Sequence, residues 1–213
     1  MIDTWLADVR PLYKESCYRH YYERLPKFRK EKADRLRQQQ NKAQSAGAWL
    51  LLEEIRTRHK ISDSAVYNFS HSEDYVLCSV DTEGRTGIQV GCDIEKIRED
   101  RLNLARHFFY RSEYEDLLKS RTTEERIEKF YRYWVLKESF MKATREGMRL
   151  PLSAFEIQLS DPPLLKRKPE QFPDQYYYRE YPLDGFPYRV AVCSNCPDID
   201  SKIQMELTQI WQE

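Results

Sequence analysis

The sequence has no apolar run near the roughly 20 residues that a membrane-crossing helix needs, which excludes a bilayer-spanning protein of the helical type. Its opening, MIDTWLADVR, lacks the basic start and apolar centre of a secretory leader, so a cytoplasmic location is expected. Charge of one sign is not in excess either: 35 basic residues face 35 acidic ones over 213 positions. Duplex-binding proteins usually carry a clear basic surplus, so nucleic acid is not the expected partner. Cysteine is sparse and odd in number, at positions 17, 78, 92, 193 and 196. Free thiols in a reducing compartment are therefore expected, and the CxxC of Cys193 and Cys196 has no second pair or histidine cluster to complete a zinc site. Low-complexity segments and short-period repeats are also missing.

What is present centres on GCDIE, residues 91–95. Side chains alternate along a strand, so Asp93 and Glu95 share one face while Ile94 turns to the core. Two carboxylates held side by side resist ionisation unless a cation sits between them, and a hard cation such as Mg²⁺ suits them. About forty residues on, FYRYWVLKESFMKATREG repeats Phe130, Trp134, Lys137, Phe140 and Met141 at three- and four-residue steps, the period of a helix with one apolar face. Glu138 borders that face, and Lys142 projects from the same side one turn later.

Residues 27–60 read as mostly helix, with PKFRKEKADRLR as a basic opening and Ala46, Trp49, Leu50 and Ile55 as the inward stripe. Gly47 in that stripe marks close helix packing. The basic cluster is a solvated helix face or an anion grip, and composition does not choose. AVYNFSHSEDYVLCSV gives two strand-like segments around NFSHSED, placing His71 in a loop between Ser70 and Ser72. DTEGRTG, residues 81–87, is a turn, from which IQVGCDIE returns as the next strand of a hairpin. Beyond Glu95, LNLARHFF is a short helix and Ser112 the N-cap of another, with Glu113, Glu115 and Asp116 in its first turn. LPLSAFEIQLS alternates like a strand; YYYREYPLDGFPYRVAVCS is two strands about the turn Leu183-Asp184-Gly185; the tail SKIQMELTQIWQE is strand or helix.

Taken in order, NFSHS, GCDIE, RHFFYRSEY, WVLKESFMKATREGMRLPL and YRVAVCS resemble the 4′-phosphopantetheinyl transferases of the larger, monomeric type, from about Asn68 onward. That family moves the phosphopantetheine arm of coenzyme A to a serine of an acyl or peptidyl carrier protein and releases adenosine 3′,5′-bisphosphate. The resemblance implies an α+β fold of two similar halves in one chain, related by a pseudo-two-fold, with a boundary near Thr86: residues 1–86 carrying the basic helix and SHS segment, 87–213 the acids. It implies Asp93, Glu95 and Glu138 as ligands of Mg²⁺, or of Mn²⁺ in its place. Lys142, His71 and Ser70 would contact the coenzyme A phosphates, Arg29 and Lys32 would grip the 3′-phosphate, and Glu113 would act as a further acid near the metal. Glu138, or a metal-held water acting through it, would take the proton of the carrier serine. Two departures stand out: no GKP motif precedes SHS, leaving Lys60 as the nearby base, and Gln40, Asn41 or Gln44 stands where an arginine is frequent, with Lys42 beside them.

Overall fold

In a computed structural model, which describes residues 1–183 and 185–211, nine strands and six α-helices form two sheets flanked by helices, with a small two-stranded ribbon to one side. Strand β1 (Ile2–Asp8) leads to helices α1 (Glu15–Tyr22), α2 (Lys27–Asp34) and α3 (Gln39–His59), then to the hairpin β2 (Tyr67–Ser72) and β3 (Tyr75–Asp81). Strand β4 (Val90–Lys96) leads to α4 (Leu102–Phe108), α5 (Arg111–Leu118) and α6 (Thr123–Ala143), the ribbon β5 (Glu156–Gln158) and β6 (Leu164–Arg167), and the hairpin strands β7 (Tyr177–Tyr181) and β8 (Tyr188–Ser194). The chain then runs through β9 (Ile199–Gln204).

The two halves repeat one topology. In each, a first strand is followed by helices ending in one of 21 residues, and a hairpin then lays its second strand antiparallel to the first strand. The orders β2-β3-β1 and β7-β8-β4 are thus equivalent. The strands β1, β2 and β3 lie within residues 2–81 and β4, β7 and β8 within 90–194, after which β9 returns to pair in parallel with β1, and Leu207 and Trp211 pack into the first half's core.

The period-two burial of the strands explains the layering. Trp5, Ala7, Val76, Cys78 and Val80 face α3, while Ile2, Leu6, Tyr75 and Leu77 turn inward to meet Val90, Cys92, Ile94, Val190 and Val192 of the other sheet. Residues of β8 on the opposite face, Ala191 and Cys193, join the aromatic core under α6 with Phe130, Phe140 and Phe155. Two sheets therefore pack face to face with a long helix outside each. Gly91 sets the spacing on one side: a Cβ there would lie 2.0 Å from the Ser139 carbonyl oxygen and 2.3 Å from the Ala143 nitrogen, so only glycine lets α6 lie this close to β4. Gly47 plays the expected packing role in α3, where a Cβ would come within 2.6 Å of Val9 Cγ1.

Several expectations change. The basic stretch is two helices broken at 35–38, not one. NFSHS is not a loop but strand β2 itself, and the turn is only Glu73 and Asp74, with Glu73 at φ 48°. β3 and β4 do not form a hairpin, since β3 pairs with β1 and β2 while β4 pairs with β8. Ser112 is not the N-cap of α5; Tyr110 is, and the Ser112 hydroxyl instead donates to Glu156. The tail contributes a strand, and β1, for which the sequence offered no motif, is central to its sheet. Asp184 lies outside the described residues. All five cysteines are free, and only Cys196 is not buried. Among the described residues no helix is long and apolar enough to cross a membrane.

Candidate functional site

The two sheets meet along two edges. On one, β9 lies between β1 and β7, and the Tyr181 hydroxyl donates to the Asp200 carbonyl at 2.7 Å. On the other, β2 lies beside β4 with polar side chains as the rungs. Asn68 Oδ1 accepts from the Cys92 N–H (3.0 Å), Ser70 Oγ from Ile94 (3.3 Å) and Ser72 Oγ from Lys96 (3.1 Å). Every second residue of β2 meets every second N–H of β4, as period-two alternation requires. The same serines then donate to the intervening acids: Ser70 to Asp93 Oδ1 at 2.8 Å, Ser72 to Glu95 Oε2 at 3.0 Å. An ion pair between Glu73 and Arg98 carries the row past the strand ends.

Because the even residues of β2 are spent on this edge, the odd ones, Phe69 and His71, face two contiguous clefts. One, about 370 Å³, is lined by Phe69, Ser70, His71, Asp93, Glu95, Trp134, Glu138 and Lys142. Of the residues singled out in the sequence, Ser70, His71, Asp93, Glu95, Glu138 and Lys142 thus share one space. Lys142 Nζ donates to Asp93 Oδ1 (2.7 Å), Ser70 Oγ (2.9 Å) and the Cys92 carbonyl (3.1 Å). Burial opposes the ammonium charge, but Asp93 more than restores it, and Lys142 stays protonated above its ordinary range. Burial, and then Asp93, pushes Glu95 up to about 7 and raises Glu138 as well. His71 is open to solvent at its edge, yet the cleft walls and then Lys142 hold its imidazole below the usual value, hence neutral at pH 7.

Asp93 Oδ2 is buried without a hydrogen-bond partner. Three carboxylates therefore crowd one cleft, two of them reluctant to ionise and the third with an orphaned oxygen. Among the described residues no group of three His, Cys, Asp or Glu is already closed into a metal-holding cluster. Lys142 stands against Asp93 instead.

The second cleft, about 360 Å³, is lined by Arg29, Lys32, Asn41, Gln44 and Ser45 among others, and shares Phe69 and His71 with the first. Arg29 is 9% exposed, donates to the Ser45 carbonyl at 2.6 Å, lies over Trp49 with its carbon 5.3 Å from the ring centroid, and keeps a buried Nε without a partner. Burial lowers its pKa, the strain of a cation set in an aromatic wall. The buried Ser45 hydroxyl on the same wall also lacks a partner.

Glu113 is not brought to these clefts. It is fully enclosed with Lys137, 2.9 Å away, and accepts from the Tyr110 and Ile157 N–H groups. Lys137 spends its other two protons on the Leu152 and Phe155 carbonyls at 2.7 and 2.8 Å. The pair staples α5, α6 and the start of β5 together. Sequence reasoning missed Asn68 and Ser72 as site residues; their signal was the two-residue period of NFSHS, hidden once that stretch was read as a loop.

Residues 89–193 match the family described as the 4′-phosphopantetheinyl transferase superfamily. Among curated proteins, 4′-phosphopantetheinyl transferase Sfp of Bacillus subtilis is 35% identical over 144 residues, covering 66% of this chain and 60% of Sfp. 4′-Phosphopantetheinyl transferase gsp of Aneurinibacillus migulanus is 28% identical over 144 residues, covering 68% of this chain and 56% of that one. The chain thus spans less than two thirds of the length of these relatives. A solved structure of Thermotoga maritima holo-[acyl-carrier-protein] synthase aligns with a TM-score of 0.39 at 19% identity, over 50% of this chain and 61% of that one. The profile match spans β4 and α6, which carry the acids, together with β8, and residues 89–193 of the chain belong to the 4′-phosphopantetheinyl transferase superfamily.

Proposed function

We propose that this chain transfers the 4′-phosphopantetheine arm of coenzyme A to a serine of an apo acyl or peptidyl carrier protein, releasing adenosine 3′,5′-bisphosphate, with Mg²⁺ required. The observation that carries this is the adjoining pair of clefts: one built of carboxylates and Lys142, the other of a buried arginine with no acidic partner among the described residues. A ligand with a diphosphate at one end and a second phosphate several bonds away suits both at once. Arg29 and Lys32 would hold the 3′-phosphate, and Asn41, Gln44 and Ser45 offer neutral polar contacts where an arginine is frequent. Lys142 and the neutral His71 would hydrogen-bond the diphosphate.

Asp93, Glu95 and Glu138 supply hard oxygen donors, and the orphaned Asp93 oxygen and the raised Glu95 and Glu138 are what unmet carboxylates in a partly buried cleft look like. Mg²⁺ binds through one or two carboxylates and completes its shell with water and phosphate oxygens, so it needs no finished protein cage. When bound there it would neutralise charge on the diphosphate. Glu138, raised by burial, is suited to take the serine proton as the hydroxyl oxygen bonds to phosphorus and the bond to the nucleotide's phosphate oxygen breaks. Charge that builds on the departing bisphosphate is met by Lys142, which is fixed beforehand by Ser70 and Cys92.

The test is intact-mass measurement of an apo carrier protein incubated with coenzyme A, Mg²⁺ and the chain. One added phosphopantetheine arm is expected, with none from Glu138→Ala at unchanged folding. Loading by Glu138→Ala at the parent rate would overturn the assignment.

A further inference from the structure

From the β2 edge we infer that Ser72 is a positioning residue: it fixes the carboxylate of Glu95 for a divalent cation while tying the two halves together. This rests on the proposed function and deepens it.

Ser72 is buried at 8% exposure and has two partners, both on β4. Its oxygen accepts the Lys96 N–H, and its proton goes to Glu95 Oε2. The first bond locks the direction of the second: an oxygen held by a backbone N–H from the neighbouring strand presents its hydrogen to the acid immediately before it. Ser70 does the same for Asp93 through Ile94, but Ser70 also receives Lys142, so its carboxylate is held from two sides. Ser72 has no such helper. Among the described residues Glu95 makes no ion pair, so the serine hydroxyl decides which oxygen of that acid is committed to the protein. Partners of this kind behind a metal-binding carboxylate set affinity by about 10- to 100-fold.

A double-mutant cycle separates positioning from simple satisfaction of the Lys96 N–H. Mn²⁺ binding in the presence of coenzyme A, read by electron paramagnetic resonance of the free ion, needs no turnover. Ser72→Ala is expected to weaken Mn²⁺ binding about 10-fold in the parent chain. In a Glu95→Gln background, where the hydroxyl has no charged oxygen to aim, it should weaken it no further, and Ser72→Thr should restore parent affinity. In turnover, Ser72→Ala should raise the half-saturating Mn²⁺ concentration with the KM for coenzyme A unchanged. Equal losses in both backgrounds would reduce Ser72 to a backbone partner and overturn the inference, as would an unaltered Mn²⁺ affinity in a folded Ser72→Ala. Absence of Mn²⁺ binding by the parent chain would overturn the divalent-ion part of the proposed function together with this inference.

Discussion

Glu95, half-buried, and Lys137, fully buried, show how differently two ionisable groups are treated in this chain. Glu95 sits in the cleft with Asp93 as a like-charged neighbour, and its pKa rises from 4.5 to about 7, burial first and Asp93 second. A carboxyl raised in the folded state favours folding most below its unfolded pKa and loses that contribution as pH climbs through the folded value. Without divalent ions, melting temperature should therefore fall between about pH 5 and pH 7.5, by at most about 1.4 kcal/mol of stability per unit, and Glu95→Gln should flatten that slope. Calorimetry across that range decides it. Lys137, in contrast, has every proton placed: Glu113, Leu152 and Phe155 take all three. Burial pulls it down to about 8 and pushes Glu113 up. Lys137→Met would strand Glu113 in the core, costing about 3–5 kcal/mol in denaturant unfolding, and adding Glu113→Gln should recover most of the loss. The sequence made Asp93, Glu95, Glu138 and Lys142 legible because strand and helix periods put them on identifiable faces, whereas His71, read as a loop residue, was singled out through the family resemblance. It could not show that Glu113 lies elsewhere, because the segment carrying it is positioned by the ion pair with Lys137, a contact made across 24 residues of sequence that no local pattern records.

Among the elements, α6 and β4 depend on each other most directly. The helix can lie on the strand only because residue 91 has no side chain, and that approach brings Lys142 within 2.7 Å of Asp93. Gly91→Ala must move Ser139 and Ala143 backbone, neither of which is a flexible tip. A destabilisation of about 1–3 kcal/mol is expected, roughly 2–12 °C in melting temperature at this size, with carrier loading falling further than stability because the Lys142–Asp93 contact lengthens. Mass-based loading assays beside thermal melts would show the split. The long helices were readable from their 3.6-residue stripes, and β7 and β8 from alternation. β2 was not, since NFSHS is polar on one side and half-open on the other. Its even residues bond to another strand's edge rather than to water or core, an arrangement whose partner is unknowable until β4 is placed. The partner of β3 was misread for the same reason: adjacency in sequence suggested a hairpin, whereas burial of Val90, Cys92 and Ile94 against Ile2, Leu6 and Leu77 favoured separate facing sheets.

Across the whole molecule, the repeat of strand, helices and hairpin produces two comparable junctions, yet they are closed by different means. At one, β2 and β4 touch through Asn68, Ser70 and Ser72; at the other, β9 is inserted beside β1, and the following residues seal the first half's core with Leu207 and Trp211. Trp211 is 4% exposed, and its ring lies 3.2 Å from where a Cβ on Gly47 would stand. Trp211→Ala should cost about 3–5 kcal/mol, and hydrogen exchange should quicken in β1 and α3 while α6 stays protected. The family resemblance anticipated the paired halves but not this return of the chain. A polypeptide built from a doubled plan would, if left symmetric, offer two equivalent crevices. Here one of them is caulked by the chain's own six-residue strand, so equilibrium dialysis should count a single coenzyme A per molecule, held in the other crevice, where opposite halves can handle one ligand between them.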